Sequence, residues 1–460
     1  MPQRSRLIMG SLIAALLFAT VLRFAIWHVY IQQPLVIANS DTPSYWLSAI
    51  NLLHHGAFSC SPVAPFAPNI MRTPGYPAFL SLCILPFGES QPAVTFVQVL
   101  LSLLLILGIW QMGTRTFGRG AGLVGALLFA CDIPTAICAN TVMTETLFSV
   151  FLFALIATLF PTLGKMDKPN LGRLFLAGLL LSTLTLIRPV AQFFWIFLLP
   201  FLFFALPRPR RYPKLAGFLL FALLLPAGWT VRNWVQVGSP VYCSISAINL
   251  YTYRAAWDQA RVEKRDFETL KAEFEQNVAK QHLSPAEEVR FMSHEGIRIL
   301  FAHPGLTALQ GFQGAVKMML GISNSGLDYL WQPRDSWDMA SSLNNPSEVG
   351  AKTVSKALAA PLWIIGLKLG SALQLLLVYT GIAFAFWKIL CDSGWKAPTN
   401  RALRFFFWLN ALAVLYFLLV SVGAETNSRF RVPIQPQLCL MSGLGWAYLI
   451  KKYPLQKKGV

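Results

Sequence analysis

In this 460-residue chain, the residues with chemistry to offer are few and far apart. Two carboxylates stand at the edges of apolar runs. Asp41 lies just ahead of the helix-like run Tyr45 to Leu53, and Glu145 opens a run that is otherwise apolar. Arginines stand at similar junctions: Arg72 before Thr73-Pro74-Gly75-Tyr76-Pro77, Arg188 before Pro189, and Arg429 and Arg431 in the segment that begins at Glu425. Guanidinium groups make charge-assisted, often bidentate contacts with phosphate. A positioned carboxylate can take the proton of an attacking hydroxyl or amine. Together they suit displacement at a sugar carbon whose leaving group is a lipid phosphate. Such a donor carries its own leaving group, so an inverting single displacement needs one base and no covalent sugar–enzyme intermediate.

Each residue also has an ordinary structural reading. Asp41 before Pro43 has the form of a helix N-cap. A carboxylate at the Glu145 position gains about 0.3–1 kcal/mol from the helix dipole, against roughly 2.5–3.5 kcal/mol or more for an unpaired charge inside hydrocarbon. Arginines at helix ends often only snorkel into headgroups. The argument for chemistry lies in the convergence of distant residues on one membrane face, which independent capping does not require.

That face is set by the apolar runs. The chain is 55% hydrophobic and only 13% charged, about half the charged share of a soluble protein, so lipid is the solvent for much of it. The segments 7–28, 92–113, 120–138, 145–162, 172–187, 190–206, 214–230, 360–389, 402–422 and 432–450 are expected to span, with the first retained as a helix. The stretch 76–88 is too short to span and reads as re-entrant or interfacial. The expected fold is an all-α polytopic membrane protein of about ten transmembrane helices, with outer-face juxtamembrane helices and a small, mostly helical periplasmic insertion. Threaded from a cytoplasmic N-terminus, Arg115, Arg119, Lys165, Lys168, Arg173, Arg208, Arg210, Arg211, Lys214, Lys388, Lys396, Arg401, Arg404, Lys451, Lys452, Lys457 and Lys458 fall on one side. This obeys the positive-inside rule and places both termini in the cytoplasm. The net charge of +18 is thereby spent on loops and not on a nucleic-acid groove.

Three parts follow: a transmembrane module over 1–230 containing the first outer loop (29–91), an insertion over 231–359, and C-terminal helices over 360–460. In the insertion, Arg254 to Lys280 alternates like an amphipathic helix. Ser284-Pro285-Ala286-Glu287 reads as a capping box opening a second helix that His303-Pro304-Gly305 ends, and Asn324 to Asn345 reads as loop. The insertion is expected to be a solvated lid, with acceptor recognition as the sharper role. His282, His294 and His303 lack metal-ligand spacing on a common helix face. The seven cysteines are scattered and read as small apolar residues.

Taken in order, several motifs resemble the GT-C class of membrane glycosyltransferases. They are Asp41 with Tyr45, Arg72 to Pro77 with Tyr76, Thr144-Glu145-Thr146-Leu147-Phe148, Arg188-Pro189, Trp229-Thr230-Val231-Arg232-Asn233-Trp234, and Arg429-Phe430-Arg431-Val432-Pro433. The similarity is closest to bacterial relatives of protein O-mannosyltransferases and lipid A aminoarabinose transferases, and runs from about residue 20 to 445. It implies an inverting transferase using an undecaprenyl- or related polyprenyl-phosphate sugar in a bacterial inner membrane, acting on an envelope glycan, lipid or protein. By the same resemblance Asp41 and Glu145 take the catalytic acidic positions and Arg72 a phosphate-binding one. Tyr45, Tyr76, Arg188, Arg232, Glu425, Arg429 and Arg431 join it as substrate-binding candidates. Asp41 lacks an adjacent second carboxylate, because Ser40 and Thr42 flank it, and the second acidic position is Glu and not Asp. Both departures bear on acceptor identity and on metal use; no obligatory metal or other cofactor is expected. The rival readings are a flippase for lipid-linked sugars, an O-antigen ligase-like enzyme with a lipid-diphosphate donor, and a structural subunit of an envelope complex.

Overall fold

A computed structural model of the chain describes residues 2–38, 41–164, 171–206, 211–322, 324–331, 361–391 and 401–452. Asn39, Ser40, Lys165, Lys168, Arg208, Arg210, Lys396, Lys457, Lys458 and residues 332–345 of the loop expected over Asn324 to Asn345 lie outside them, and the first residues of that loop, Asn324–Asp328, form a short helix instead. All regular structure among the described residues is helical. The N-terminal module comprises α1 (Pro2–Tyr30), α2 (Pro34–Ile37), α3 (Thr42–His55), α4 (Gly75–Phe87), α5 (Gln91–Phe117), α6 (Arg119–Ala130), α7 (Ile133–Ala139) and α8 (Glu145–Gly164). It continues through α9 (Leu171–Ile187), α10 (Phe194–Ala205) and α11 (Arg211–Val237). The insertion holds α12 (Ile245–Ile248), a π-helical turn (Asn249–Ala255), α13 (Ala256–Glu263), α14 (Phe267–Lys280), α15 (Pro285–Ala302), α16 (Pro304–Leu320) and α17 (Asn324–Asp328). The C-terminal helices are α18 (Leu362–Cys391), α19 (Arg401–Ser421) and α20 (Gln435–Lys452), with a 3₁₀ turn at Ser428–Ile434.

Among the described residues, five helices are long and apolar enough to cross a bilayer: α1, α5, α11, α18 and α19. The helices α6 and α7 make a sixth only as a pair bent by 61°. Residues 120–138, expected as one straight span, are therefore a broken one, and the break has a local cause. Asp132 caps α7, its Oδ2 accepting from the Thr135 amide at 2.9 Å, and Pro134 offers no amide proton to continue α6. The segment expected over 145–162 is helical within the 20-residue α8, and those expected over 172–187 and 190–206 are helical but belong to shorter apolar helices. The helix α20 opens on Gln435 and Gln437 and ends on two lysines, which lowers its hydropathy. Among the described residues the chain thus has five to six long apolar helices of the kind that cross a membrane more than once.

In the insertion, the helix expected over 254–280 is broken at Lys264, which takes a left-handed conformation (φ 53°), and restarts at the Asp266 cap. The capping box at Ser284 and Glu287 forms as read, and α15 ends at His303. The chain then continues into α16, which the sequence reading had not assigned.

The core is aromatic where the site must be held firm. Phe148 of α8 meets Phe417 of α19 edge-on at 5.3 Å, and Phe194 of α10 packs on Phe417 at 5.2 Å. At Gly75, the first residue of α4, a Cβ would fall 2.6–2.7 Å from backbone atoms of Leu186 and Ile187. Only glycine lets the Arg72 segment approach the end of α9, where Arg188 stands. Replacing Gly75 with Ala is expected to destabilise the protein by about 1–3 kcal/mol through overpacking, read as a lowered unfolding midpoint in detergent.

Candidate active site

Asp41 occupies the cap position of α3, but its side chain makes no cap hydrogen bond. It turns toward two arginines instead. Arg72 donates from Nη2 to Asp41 Oδ1 at 2.9 Å, from Nη1 to the Tyr45 hydroxyl at 3.1 Å, and from Nε to Ser44 Oγ at 2.9 Å. Its guanidinium also lies 4.5 Å from the centre of the Tyr45 ring. The first turn of α3 therefore fixes every nitrogen of Arg72, while Asn69 Oδ1 accepts the Met71 and Arg72 amides and shapes the approach.

Glu145 is fully buried at the start of α8. Its Oε1 accepts from Arg188 Nη1 at 2.9 Å. Arg429 joins the two carboxylates: Nε is 3.2 Å from Glu145 Oε1 and Nη2 is 3.4 Å from Asp41 Oδ2. The centre of the Phe430 ring lies 5.4 Å from both the Arg188 and Arg429 guanidinium carbons. Among the described residues, Glu145 Oε2 and Arg429 Nε have no hydrogen-bond partner.

Burial alone would raise the Asp41 pKa. The charges and hydrogen bonds of Arg72 and Arg429 outweigh it and hold the carboxyl below its ordinary value. Asp41 is thus a neutralised carboxylate, and a weak base for as long as both arginines attend it.

Asp41, Tyr45, Arg72, Glu145, Arg188, Glu425 and Arg429 all line one cavity of about 630 Å³. Glu425 stands on its far side, paired with Arg254 at 2.8 Å. A Cβ at Gly423 would meet Glu425 Oε2 at 2.4 Å and Arg254 Nε at 2.5 Å, so this turn is built around that pair.

Three expected site residues lie outside the cavity. Tyr76 is buried behind it, its hydroxyl donating to Gln98 Oε1 at 2.9 Å and its ring set edge-on to Tyr45 at 5.2 Å. Arg232 donates to the Asn69 and Phe58 carbonyls at 3.2 and 3.3 Å and so braces the loop that leads to Arg72. Arg431 is buried, donating from Nη1 to the carbonyls of Met318, Met319 and Gly321 at 2.8–2.9 Å. In a 3₁₀ turn of three residues, a side chain two positions on points well away from the first; Arg429 enters the cavity and Arg431 clasps the end of α16.

The sequence reading missed Arg254, Ser246, Asn249 and Tyr253, which line the cavity from the insertion. Their spacing was the available signal: 246, 249 and 253 share one helical face. Among the described residues, no group of three or more His, Cys, Asp or Glu side chains gathers as a metal site.

Residues 71–230 match the family model described as dolichyl-phosphate-mannose-protein mannosyltransferase. The matched stretch carries Arg72, Glu145 and Arg188. This stretch, about a third of the chain, is similar to that mannosyltransferase family. The fold is similar to that of two solved structures of one archaeal enzyme. The Archaeoglobus fulgidus oligosaccharyltransferase tethered with an acceptor peptide aligns with 97% of this chain and 50% of its own, at 12% identity and a TM-score of 0.55. The same archaeal enzyme in its apo form aligns at 13% identity and a TM-score of 0.50, over 97% of this chain and 51% of its own. ArnT from Cupriavidus metallidurans, in a structure bound to undecaprenyl phosphate, aligns with 95% of this chain and 78% of its own, at 11% identity and a TM-score of 0.41. The chain spans about half the length of the archaeal oligosaccharyltransferase. Among curated proteins, none matches its sequence.

Proposed function

We propose that the chain is an inverting glycosyltransferase. It moves a sugar from a polyprenyl-phosphate donor to an envelope lipid, glycan or protein acceptor at the periplasmic face of a bacterial inner membrane. The observation that carries this reading is the bridging of Asp41 and Glu145 by Arg429 inside a cavity that Arg72 and Arg188 also line. The family-model description, with its lipid-phosphate sugar donor, supports the donor class.

Charge favours a phosphate over a diphosphate. The cavity holds four arginines (Arg72, Arg188, Arg254 and Arg429) and three carboxylates (Asp41, Glu145 and Glu425). One positive charge is left over, which a phosphodiester monoanion neutralises and a diphosphate overshoots. Ser246, Asn249 and Tyr253 give the opposite wall hydroxyl and amide groups suited to a sugar.

The mechanism follows from how loosely Arg429 is held. When the donor phosphate enters, it competes with Asp41 for Arg72 and Arg429. Drawing those guanidiniums away returns basicity to Asp41 at the moment a base is needed. The acceptor oxygen or nitrogen then attacks the anomeric carbon, its proton passes to Asp41, and the bond from that carbon to the phosphate oxygen breaks. Both electrons of that bond leave with the polyprenyl phosphate, whose extra negative charge the arginines stabilise. Glu145, enclosed on all sides, is suited to holding Arg188 and Arg429 and not to meeting a bulky acceptor.

Two results test this account. Arg429→Ala, which removes a charge-assisted contact of about 1.5–3 kcal/mol, should weaken binding of undecaprenyl phosphate about 10–100-fold, measured by titration in nanodiscs. Unchanged affinity would remove Arg429 from the phosphate site. The pH profile has a defined sign. The acid limb of kcat/KM reports the free enzyme and that of kcat the donor complex. With both arginines on Asp41 in the free enzyme, the limb of kcat/KM should lie at lower pH than the limb of kcat. The reading as a whole is tested by incubating proteoliposomes with an undecaprenyl-phosphate sugar and envelope extract. Release of undecaprenyl phosphate is expected; movement of the intact lipid-linked sugar between leaflets without release would favour a flippase.

A further inference from the structure

The insertion carries three long helices, and one differs from the others on its outer face. Around α14 the exposed positions include Glu273, Glu275, Gln276 and Lys280, a surface made for water. Around α16 they include Leu309, Phe312, Val316 and Leu320, spaced three, four and four apart, which is one stripe of a helix. Phe312 is 68% and Leu320 60% exposed, and the neighbouring Phe301 at the end of α15 is 80% exposed. Lys317 is the only charged side chain of α16, set near its end, where a long cationic stem can lie along apolar surface and reach a headgroup.

The depth of α16 is fixed by what surrounds it. At mid-helix, a Cβ on Gly314 would sit 2.8 Å from the backbone of Gly423, just beyond the end of the apolar span α19. Past its C-terminus, the Gly326 carbonyl accepts from the hydroxyl of Tyr30, the last residue of α1, at 2.6 Å. Asp328 pairs at 2.8 Å with Lys368, in the second turn of α18. The middle of α16 and the segment after it therefore both lie at the level where spans end. Near that end α19 also carries exposed apolar side chains, Leu415 and Leu419.

We propose that α16 lies in the headgroup–acyl boundary of the leaflet at the cavity end, with Leu309, Phe312, Val316 and Leu320 inserted among lipid chains. The insertion is then seated on the membrane and not simply solvated above it. Because Arg431 clasps the last carbonyls of α16, the helix sets the height at which Arg429 meets a lipid-borne phosphate. This proposal rests on the exposed stripe and its depth and does not require the glycosyltransferase reading.

A photoreactive benzophenone amino acid placed at 312, and separately at 320, tests it in the full chain in native membranes. Mass spectrometry after illumination is expected to find phospholipid adducts at both positions and none at Glu275, the control on α14. Crosslinks from 312 and 320 to residues 332–360 of the same chain, or to a second copy, in place of lipid would overturn the proposal, as would the absence of lipid adducts at both sites.

Discussion

Asp41→Asn is expected to lower sugar transfer by about 10²–10⁴-fold, the usual contribution of a general base, without loss of expression or membrane insertion. The substitution keeps the shape of the side chain and a carbonyl oxygen for Arg72 Nη2, which now sits 2.9 Å from Asp41 Oδ1. It removes the charge that competes with the donor phosphate for Arg72 and Arg429. Affinity for undecaprenyl phosphate should therefore hold or rise while turnover falls. This opposite movement distinguishes a base from a phosphate ligand, because a lost ligand weakens binding. Donor titration and single-turnover rates on the same preparation measure both quantities. Full turnover in the variant would remove Asp41 from the chemistry.

The sequence announced some of this site and concealed the rest, for physical reasons. Asp41, Glu145, Arg72 and Arg188 were legible because a charge at the edge of an apolar run is costly unless something holds it. Their convergence could be inferred from the alternation of basic loops, which orders the ends of the spans without any knowledge of packing. Arg429 and Arg431 could not be told apart, because the same residue type two positions away points elsewhere only once the 3₁₀ turn has formed. The break at Asp132 and Pro134 was written in the chain, yet hydropathy averages over it and suggests a straight span. Arg23, inside the first apolar run, was equally quiet. It is fully buried and bonded to Ser102 Oγ at 2.9 Å and the Ala130 carbonyl at 3.2 Å. The spacing 246, 249 and 253 was visible, but it indicates a face and not what that face adjoins. The apolar stripe of α16 likewise has the period of a core-facing stripe, and only the structure places it outside.

Glu145→Ala carries the second large expectation, and it concerns stability before activity. Removing one partner of a buried ion pair leaves the other charge uncompensated, at a cost of about 3–5 kcal/mol. Here one carboxylate faces two guanidiniums: Arg188 at 2.9 Å and Arg429 at 3.2 Å from the same oxygen. Without it, like charges face each other beside the Phe430 ring, and the turn that carries Arg429 loses one of its ties to α8. The unfolding midpoint in detergent should drop markedly and turnover should fall with it. Glu145→Gln separates the two effects. Its amide keeps an oxygen for Arg188 but lacks the charge, so it should recover part of the stability while Arg429 stays poorly anchored. Added undecaprenyl phosphate should stabilise both variants more than it does the wild type, because an anion in the cavity supplies the missing counter-charge by mass action. If the carrier raised all three midpoints equally, Glu145 and the donor phosphate would not share the same arginines, and the common site drawn here would have to be divided in two.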